Sequence, residues 1–357
     1  MKSCTFNVSE TKENGARPKG ALHRIIRENL SKTLDISINS IITQENKEKY
    51  SSHNVGYESD NYLKGVFNLM LDLNKTSMND PLVASDPEGR EGFAATLEGI
   101  VDEIAKGFKL EPLVYVELGP EPIKTEFIMS RLIEKGVRIE SYVSVDINPK
   151  SENEMKSTIK KFLPEDKIFF INKSFEKLNS SDFQEVKNPI IVTMLGFQEG
   201  NDLPQDTALL LQQILRPGDM VVSEMQISCN NRDHAFKHFY RDPRMREFSR
   251  IALQRTLPGV TSQYRICVVN VEVEPGEIVP ACVMYEDILD GPAAGKIFVT
   301  NYCLKPSVEQ FERFRASAGF SVKAQRITGD GAVAFQLAEA SFVAQPSTVP
   351  GTLEAAE

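Results

Sequence analysis

The chain has 357 residues, a formal net charge of −9 and a hydrophobic fraction of 41%. That length allows one large domain or two ordinary ones with a substantial core, and the acidic balance argues against nonspecific nucleic-acid binding, which needs a basic surface. No run approaches the ~18 apolar residues of a membrane span, residues 1–19 are too polar for a secretory signal, and the scattered Cys4, Cys229, Cys267, Cys282 and Cys303 lack the spacing of a zinc site or disulfide framework. The expectation is a cytoplasmic protein with no metal and no nucleic-acid or membrane partner.

In chain order, residues 1–19 read as a mobile leader. Ala21, Leu22, Ile25, Ile26, Leu30 and Leu34 recur at spacings of three and four, which predicts an amphipathic helix over 20–35. Residues 44–62 are polar and carry Gly56, Tyr57 and Tyr62, and helices are expected over 63–73 and 92–108. From 113 the pattern is regular: strand 113–118, helix 123–135 ended by Gly136, strand 141–146, helix 150–162, strands 167–172 and 189–195, helix 203–215 stopped by Pro217-Gly218, and strand 219–225. Such alternation predicts a parallel sheet with helices on both faces. Residues 231–257 read as helical. Strands are expected over 263–272 and 278–286 around Glu274-Pro275-Gly276, and over 296–303. A helix follows over 306–318, and strands 320–327 and 332–338 flank the turn signal Gly329-Asp330-Gly331.

Two strand ends carry chemistry. Val114-Tyr115-Val116-Glu117-Leu118-Gly119-Pro120 ends a strand in Glu-x-Gly, and Ser141-Tyr142-Val143-Ser144-Val145-Asp146 ends the next in a carboxylate able to reach a ribose diol. In open α/β sheets ligands bind at the carboxyl ends of the strands. The turn is not G-x-G-x-x-G, so the dinucleotide fingerprint is absent. A Glu-x-Gly turn with an acidic second strand is the usual opening of S-adenosylmethionine (SAM) methyltransferases. The plainer reading is a doubly wound fold with an incidental acidic residue. His234 and His238 share a helix face, but two histidines alone do not make a metal site. Glu224-Met225 fits either a cavity border or the core. Phe236, Phe239 and Tyr240 read as packing or a lid stripe, and Arg241 to Arg250 as a solvated helix face.

A more specific signal lies at Leu195-Gly196-Phe197-Gln198-Glu199-Gly200-Asn201. Here L-G-x-x-x-G-N resembles the histidine-specific SAM-dependent methyltransferases of ergothioneine biosynthesis. Glu117-Leu118-Gly119, Arg216-Pro217-Gly218-Asp219, and the stretch from Phe311 to Leu337 are similar to further segments of that family, and residues 56–63 more faintly so. The resemblance implies a class I SAM-methyltransferase (Rossmann-like) sheet with a terminal antiparallel hairpin, plus a second substrate lobe. It divides the chain into a disordered 1–19, a first part of the substrate lobe at 20–90, the SAM-binding core at 91–230, an insertion completing the lobe at 231–303, the end of the core at 304–340, and a disordered tail at 341–357.

For the site, the resemblance implies that Glu117 and Gly119 shape the methionine end of the SAM pocket and that Asp146 holds the ribose. Ser174 and Phe175 would border the adenine, and Leu195 and Gly196 would form the floor. Lys124 would pair with the SAM carboxylate if the loop is one residue shorter than in the family; otherwise it is an exposed helix-start lysine. Asn201 would bind the substrate's amino or carboxylate group, unless it caps the helix near Pro204. Tyr57 would be the catalytic hydroxyl near the methyl-accepting nitrogen. Departures stand beside these matches. Pro120 and Pro122 remove two backbone donors from the first turn, Ser174 replaces an acidic residue, and Asn301 and Cys303 stand where the family reads imidazole with a glutamate and a serine. The implied activity is SAM-dependent N-methylation of a small amino-acid-like substrate other than histidine. The alternatives are another SAM-dependent transfer, such as that of the aminocarboxypropyl group, and a noncatalytic binding protein.

Overall fold

The computed structural model describes residues 21–44, 58–78, 92–108, 111–228 and 233–342, with side chains at 58–62 and 233–236 excepted. Tyr57, and the leader and most of the tail expected to be disordered, lie outside these residues.

The helices are α1 (Leu22–Leu34), α2 (Glu58–Ser77), α3 (Phe93–Gly107), α4 (Pro122–Glu134), α5 (Ser151–Ile159), α6 (Pro204–Ile214), α7 (Asp233–Tyr240), α8 (Pro243–Thr256) and α9 (Val308–Ser317). The strands are β1 (Ile41–Ile42), β2 (Leu113–Leu118), β3 (Ile139–Val145), β4 (Ile168–Ile171), β5 (Ile190–Met194), β6 (Met220–Gln226), β7 (Ser262–Glu274), β8 (Glu277–Ile288), β9 (Ile297–Leu304), β10 (Phe320–Ile327) and β11 (Val333–Ala340).

Seven strands form one sheet in the order β10-β11-β6-β5-β2-β3-β4, in which β11 runs antiparallel to both neighbours. The pairs β2–β3, β2–β5, β3–β4 and β5–β6 are parallel. This is the largely parallel sheet with a terminal antiparallel hairpin that was expected from the sequence. Strand parity distributes its core. Val114, Val116 and Leu118 of β2 pack with Val192, Met194 and Leu211 on one face, while Leu113 and Tyr115 pack with Leu97, Ile100, Ile128 and Leu132 on the other. All residues of β2 and β5 are buried, which explains their near-continuous apolar sequence.

A second, four-stranded sheet has the order β1-β9-β8-β7. Its long hairpin turns at Pro275-Gly276, with Gly276 at φ +79°; proline followed by glycine at positive φ is the chemistry of a type II turn. Strand β1 joins β9 in parallel, Ile41 facing Ile297. Helix α1 buries Leu22, Ile26 and Leu30 against Val269, Val271, Val279 and Val283 of β7 and β8. The first described helix and strands more than two hundred residues later thus share one core.

Several boundaries differ from expectation for local reasons. Helix α2 runs four residues beyond 73, held by Arg244, which donates to the Asp72 carbonyl at 3.0 Å and to the Thr76 hydroxyl. The 231–257 segment is two helices. Asp242 caps α8, accepting from Arg244 N at 2.8 Å, and Pro243 occupies its first turn. The 241–250 run is not a wholly solvated face: Met245, Phe248 and Ser249 are buried. Helix α9 starts at Val308 rather than Pro306 because Ser307 and Gln310 form a capping box.

The shared core of α1 carries a test. Leu30 is 0% exposed, so Leu30→Ala should lower unfolding free energy in urea by about 2–5 kcal/mol through lost burial and the cavity left behind. A change below about 0.5 kcal/mol would show that α1 is not part of the cooperative core.

Candidate functional site

The chain runs outward from β2 through β3 to β4, then returns to β5 on the other side of β2. The carboxyl ends of β2 and β5 therefore mark a topological switch point, where open sheets bind ligands. A cavity of about 310 Å³ lies there. Gly119 borders it after β2, Asp146 after β3, Ser174 and Phe175 after β4, and Leu195, Gly196 and Asn201 after β5. Lys124 at the start of α4 and Asn301 and Cys303 of β9 also line it. Ten of the residues singled out in the sequence thus face one space. Glu117 is not among the lining residues, and Tyr57 is not described.

Glu117 lies beneath the first turn, 0% exposed. Tyr142 Oη donates to it at 2.8 Å, Thr125 Oγ1 lies 2.7 Å from each of its oxygens, and the Glu121 amide donates at 3.3 Å. The Thr125 hydroxyl also reaches the Glu121 carbonyl at 2.6 Å. One hydroxyl hydrogen cannot serve both directions, so the arrangement closes best when protonated Glu117 donates to Thr125 and Thr125 donates onward. Burial accordingly pushes the Glu117 pKa up to about 8. Above it, Gly119 has φ +70°, and a side chain there would collide with Gln198.

The two prolines leave α4 to be capped by Glu121, whose carboxylate accepts from Ile123 N and Lys124 N, each at 2.8 Å. Burial raises the Glu121 pKa. Lys124 is 1% exposed rather than a solvated helix-start lysine. Its Nζ donates to both oxygens of Glu224, at 3.0 and 2.7 Å, and Glu224 also accepts from Gly196 N at 3.0 Å. Glu224 is therefore a cavity residue that sequence reasoning left undecided; the available signal was a carboxylate at the end of an otherwise buried strand.

Asp146 is half-buried, and its Oδ1 accepts from Asn148 N at 2.9 Å. Burial pushes its pKa up to about 6. Asn148 in turn donates from Nδ2 to the Leu63 carbonyl at 3.3 Å, fixing α2 beside the strand ends. From α2, Val66, Phe67, Met70 and Leu71 supply an apolar wall.

The turn after β5 places Asn201. Gly196 and Phe197 have φ +72° and +62°. Gly200 sits so close to β9 that a Cβ would lie 2.5 Å from Cys303 Sγ and 2.8 Å from the Leu304 carbonyl. Glu199 is buried and bonds to Ser223 and to Arg315 of α9, and Arg315 also donates to Ser223 at 2.8 Å. Asn201 does not cap α6: the N-cap is Leu203, with no side-chain cap bond.

The far wall also departs from the simplest sequence reading. Phe239 and Tyr240 line the cavity, so the aromatic stripe is not confined to packing. Lys305, 0% exposed, donates to Tyr240 Oη at 2.8 Å, with the Phe197 ring centroid 5.2 Å from its Nζ. Burial raises the Tyr240 pKa. His238 is exposed, and among the described residues no three His, Cys, Asp or Glu side chains cluster as a metal site would require. Among those residues no helix is long and apolar enough to cross a membrane.

No protein-family model matches the sequence, and no curated protein matches it. Solved structures similar to the chain include a SAM-dependent methyltransferase from Clostridium acetobutylicum, with 10% identity over 77% of this chain and 99% of that one and a TM-score of 0.41. An amino pentose methyltransferase from Micromonospora echinaspora has 12% identity over 71% and 93%, with a TM-score of 0.36. A 1,6-didemethyltoxoflavin-N1-methyltransferase from Burkholderia thailandensis has 9% identity over 79% and 90%, also with a TM-score of 0.36. At this level of similarity no residue role passes from those proteins to this one, and none of the three is described as histidine-specific.

The protonated Glu117 yields a pH prediction. Its folded pKa of about 8 lies above the ordinary 4.5, so the native state holds a proton that the unfolded chain has lost between those values. The stabilisation is fully present below 4.5 and is lost as pH rises through 8. Glu117→Gln, which cannot ionise, should flatten the fall in thermal stability between pH 5 and 9. At about 1.4 kcal/mol per pKa unit the wild-type fall is on the order of a few kcal/mol. Parallel Tm profiles for the two proteins would contradict the assignment.

Proposed function

We propose that this chain is a SAM-dependent N-methyltransferase acting on a small amino-acid-like substrate. The observation that carries the reading is the cavity at the β2/β5 switch point, bounded on one side by Asp146 and on the other by Asn201, Asn301 and Cys303. The residues present fit the cofactor. Asp146 is a cavity-lining carboxylate for a ribose diol, Ser174 a polar partner for the adenine amine, and Lys124 with Glu224 a charged floor at the methionine end.

When bound, SAM supplies a methyl group on an electrophilic sulfonium. The chain's own contribution is then to hold a neutral amine in line and to keep water out. Asn201 and Asn301 offer amides that donate and accept hydrogen bonds, and Val66, Phe67, Met70, Phe239 and Met245 provide an apolar enclosure. Tyr240, backed by buried Lys305, adds a hydroxyl on the same wall. Tyr57 is kept as the proposed hydroxyl near the accepting nitrogen. The resemblance to the histidine-specific family supports the placement of Asn201 and β9, while Asn301 and Cys303 argue against imidazole. Localisation in the cytoplasm fits the same reading.

Asp146→Ala should weaken SAM binding by on the order of 2 kcal/mol, because a charge-assisted contact to both ribose hydroxyls is lost. Wild-type affinity should itself fall as pH drops below about 6, where the carboxyl takes up a proton. Unchanged affinity of the variant in calorimetric titration would refute the pocket assignment.

Free histidine should be a poor acceptor. An amide cannot supply the charge that a carboxylate gives, and a thiol is a weak hydrogen-bond partner. Two lost contacts amount to roughly a hundredfold in kcat/KM against a preferred amine. A panel of amino acids and small amines, with product mass as the readout, tests both points. A gain of one methyl with release of S-adenosylhomocysteine marks methylation, methylthioadenosine marks aminocarboxypropyl transfer, and efficient histidine trimethylation would overturn the reading of β9.

A further inference from the structure

The Lys124–Glu224 pair is an unusual object to place on a ligand-cavity wall. Both side chains are almost fully buried, at 2% and 1% exposure. Taking two charges out of water costs several kcal/mol per ion, and their mutual attraction repays this only with good geometry and further hydrogen bonds. A simple cofactor-carboxylate site would leave the lysine for the ligand. Here Glu224 already engages it through both oxygens, and Glu121, also on the cavity wall, lies in the same turn. A ligand carboxylate alone would add a third acid beside one ammonium.

Counting lone pairs and hydrogens resolves the arrangement. An ionised carboxylate has about four acceptor sites. Glu224 uses two toward Lys124 and one toward Gly196 N, at distances of 3.0, 2.7 and 3.0 Å. An ammonium has three donors, and among the described residues Lys124 directs its hydrogen bonds only to Glu224, with the Phe93 ring centroid 5.1 Å away. Each of these two cavity-lining residues therefore keeps capacity for one further bond, Glu224 as acceptor and Lys124 as donor. That pattern complements an α-amino-acid head, whose own ammonium and carboxylate are neighbours. A zwitterion laid against the pair adds equal and opposite charge and leaves the local balance unchanged.

We propose that Lys124 and Glu224 together form a receptor for the zwitterionic methionine end of the cofactor, Lys124 taking its carboxylate and Glu224 its ammonium. This rests on the SAM reading and adds Glu224 as a specificity-determining residue, which the sequence resemblance did not supply. Gly196, in the L-G-x-x-x-G-N turn, orients Glu224 through its amide. The turn after β5 and the end of β6 thus act as one unit.

The experiment uses three thioethers that share the adenosine and carry no sulfonium. S-adenosylhomocysteine keeps ammonium and carboxylate, its decarboxylated analogue keeps only the ammonium, and methylthioadenosine has neither. Each is titrated calorimetrically into wild type, Glu224→Gln and Lys124→Met. Glu224→Gln should weaken the decarboxylated analogue by roughly ten- to a hundredfold, the range of a charge-assisted hydrogen bond, and leave methylthioadenosine within about twofold. Lys124→Met should weaken S-adenosylhomocysteine more than the decarboxylated analogue. Equal binding of the decarboxylated analogue by wild type and Glu224→Gln would overturn the proposal, and tighter S-adenosylhomocysteine binding by that variant would recast Glu224 as a competitor for Lys124. A uniform loss of all three ligands in Glu224→Gln would also overturn it, making Glu224 a structural residue. Failure of wild type to bind any of the three would bring down the cofactor reading itself, a result separate from the others.

Discussion

The cavity exists because one short turn is pressed against one strand. The Gly196–Asn201 segment leaves β5 and meets the end of β9, where Gly200 has no room for even a single carbon between itself and Cys303 or Leu304. Glu199 in the same turn reaches back to Ser223 of β6 and across to Arg315 of α9. Phe197, held at positive φ, lays its ring near buried Lys305 and edge-on to Phe239. These contacts join the seven-stranded sheet to the four-stranded one. Without them the strand ends carrying Gly119 and Asp146 would border an open crevice.

Buried charge recurs around this junction, and each case is resolved differently. Glu199 and Arg315 form a pair with an added serine. Lys305 rests on the Tyr240 hydroxyl and two aromatic faces. Glu117 avoids the problem by keeping its proton. Lys124 and Glu224 neutralise one another at the cavity wall. Removing one partner of such pairs costs more than the pair contributes, because an uncompensated charge remains. The polar framework therefore fixes geometry more than it adds stability. The in-line transfer proposed above would need that property, since positioning of the reacting atoms dominates the rate of such a step.

The second sheet shows how chain-distant segments make the other half of the site. Helix α1 and β1 come from the first described residues, yet they complete the core of β7, β8 and β9. Helix α2 is tied to the strand ends through Asn148 and Leu63 and to α8 through Arg244. The attachments of α2 hold its apolar residues on the same cavity that Asn301 and Cys303 of β9 line.

Sequence alone determined most of the element order. Periods of two and 3.6 are local properties, and glycine and proline punctuate them where the backbone requires it, as at Gly136 and Pro217-Gly218. The strand-end residues Gly119, Asp146 and Gly196 were legible for the same reason: in a parallel sheet, position at the end of an apolar run already places a residue at the ligand edge. Other features depended on partners far along the chain. Whether Lys124 was solvated or buried turned on Glu224, one hundred residues away. The protonation of Glu117 was fixed by its complete burial beneath the first turn, and the position of Asn201 on the cavity wall by the wedge of Gly200 against β9. Local pattern specifies which face a side chain occupies. Only the tertiary structure decides what meets it there, because desolvation and charge pairing depend on every group that packs around the site.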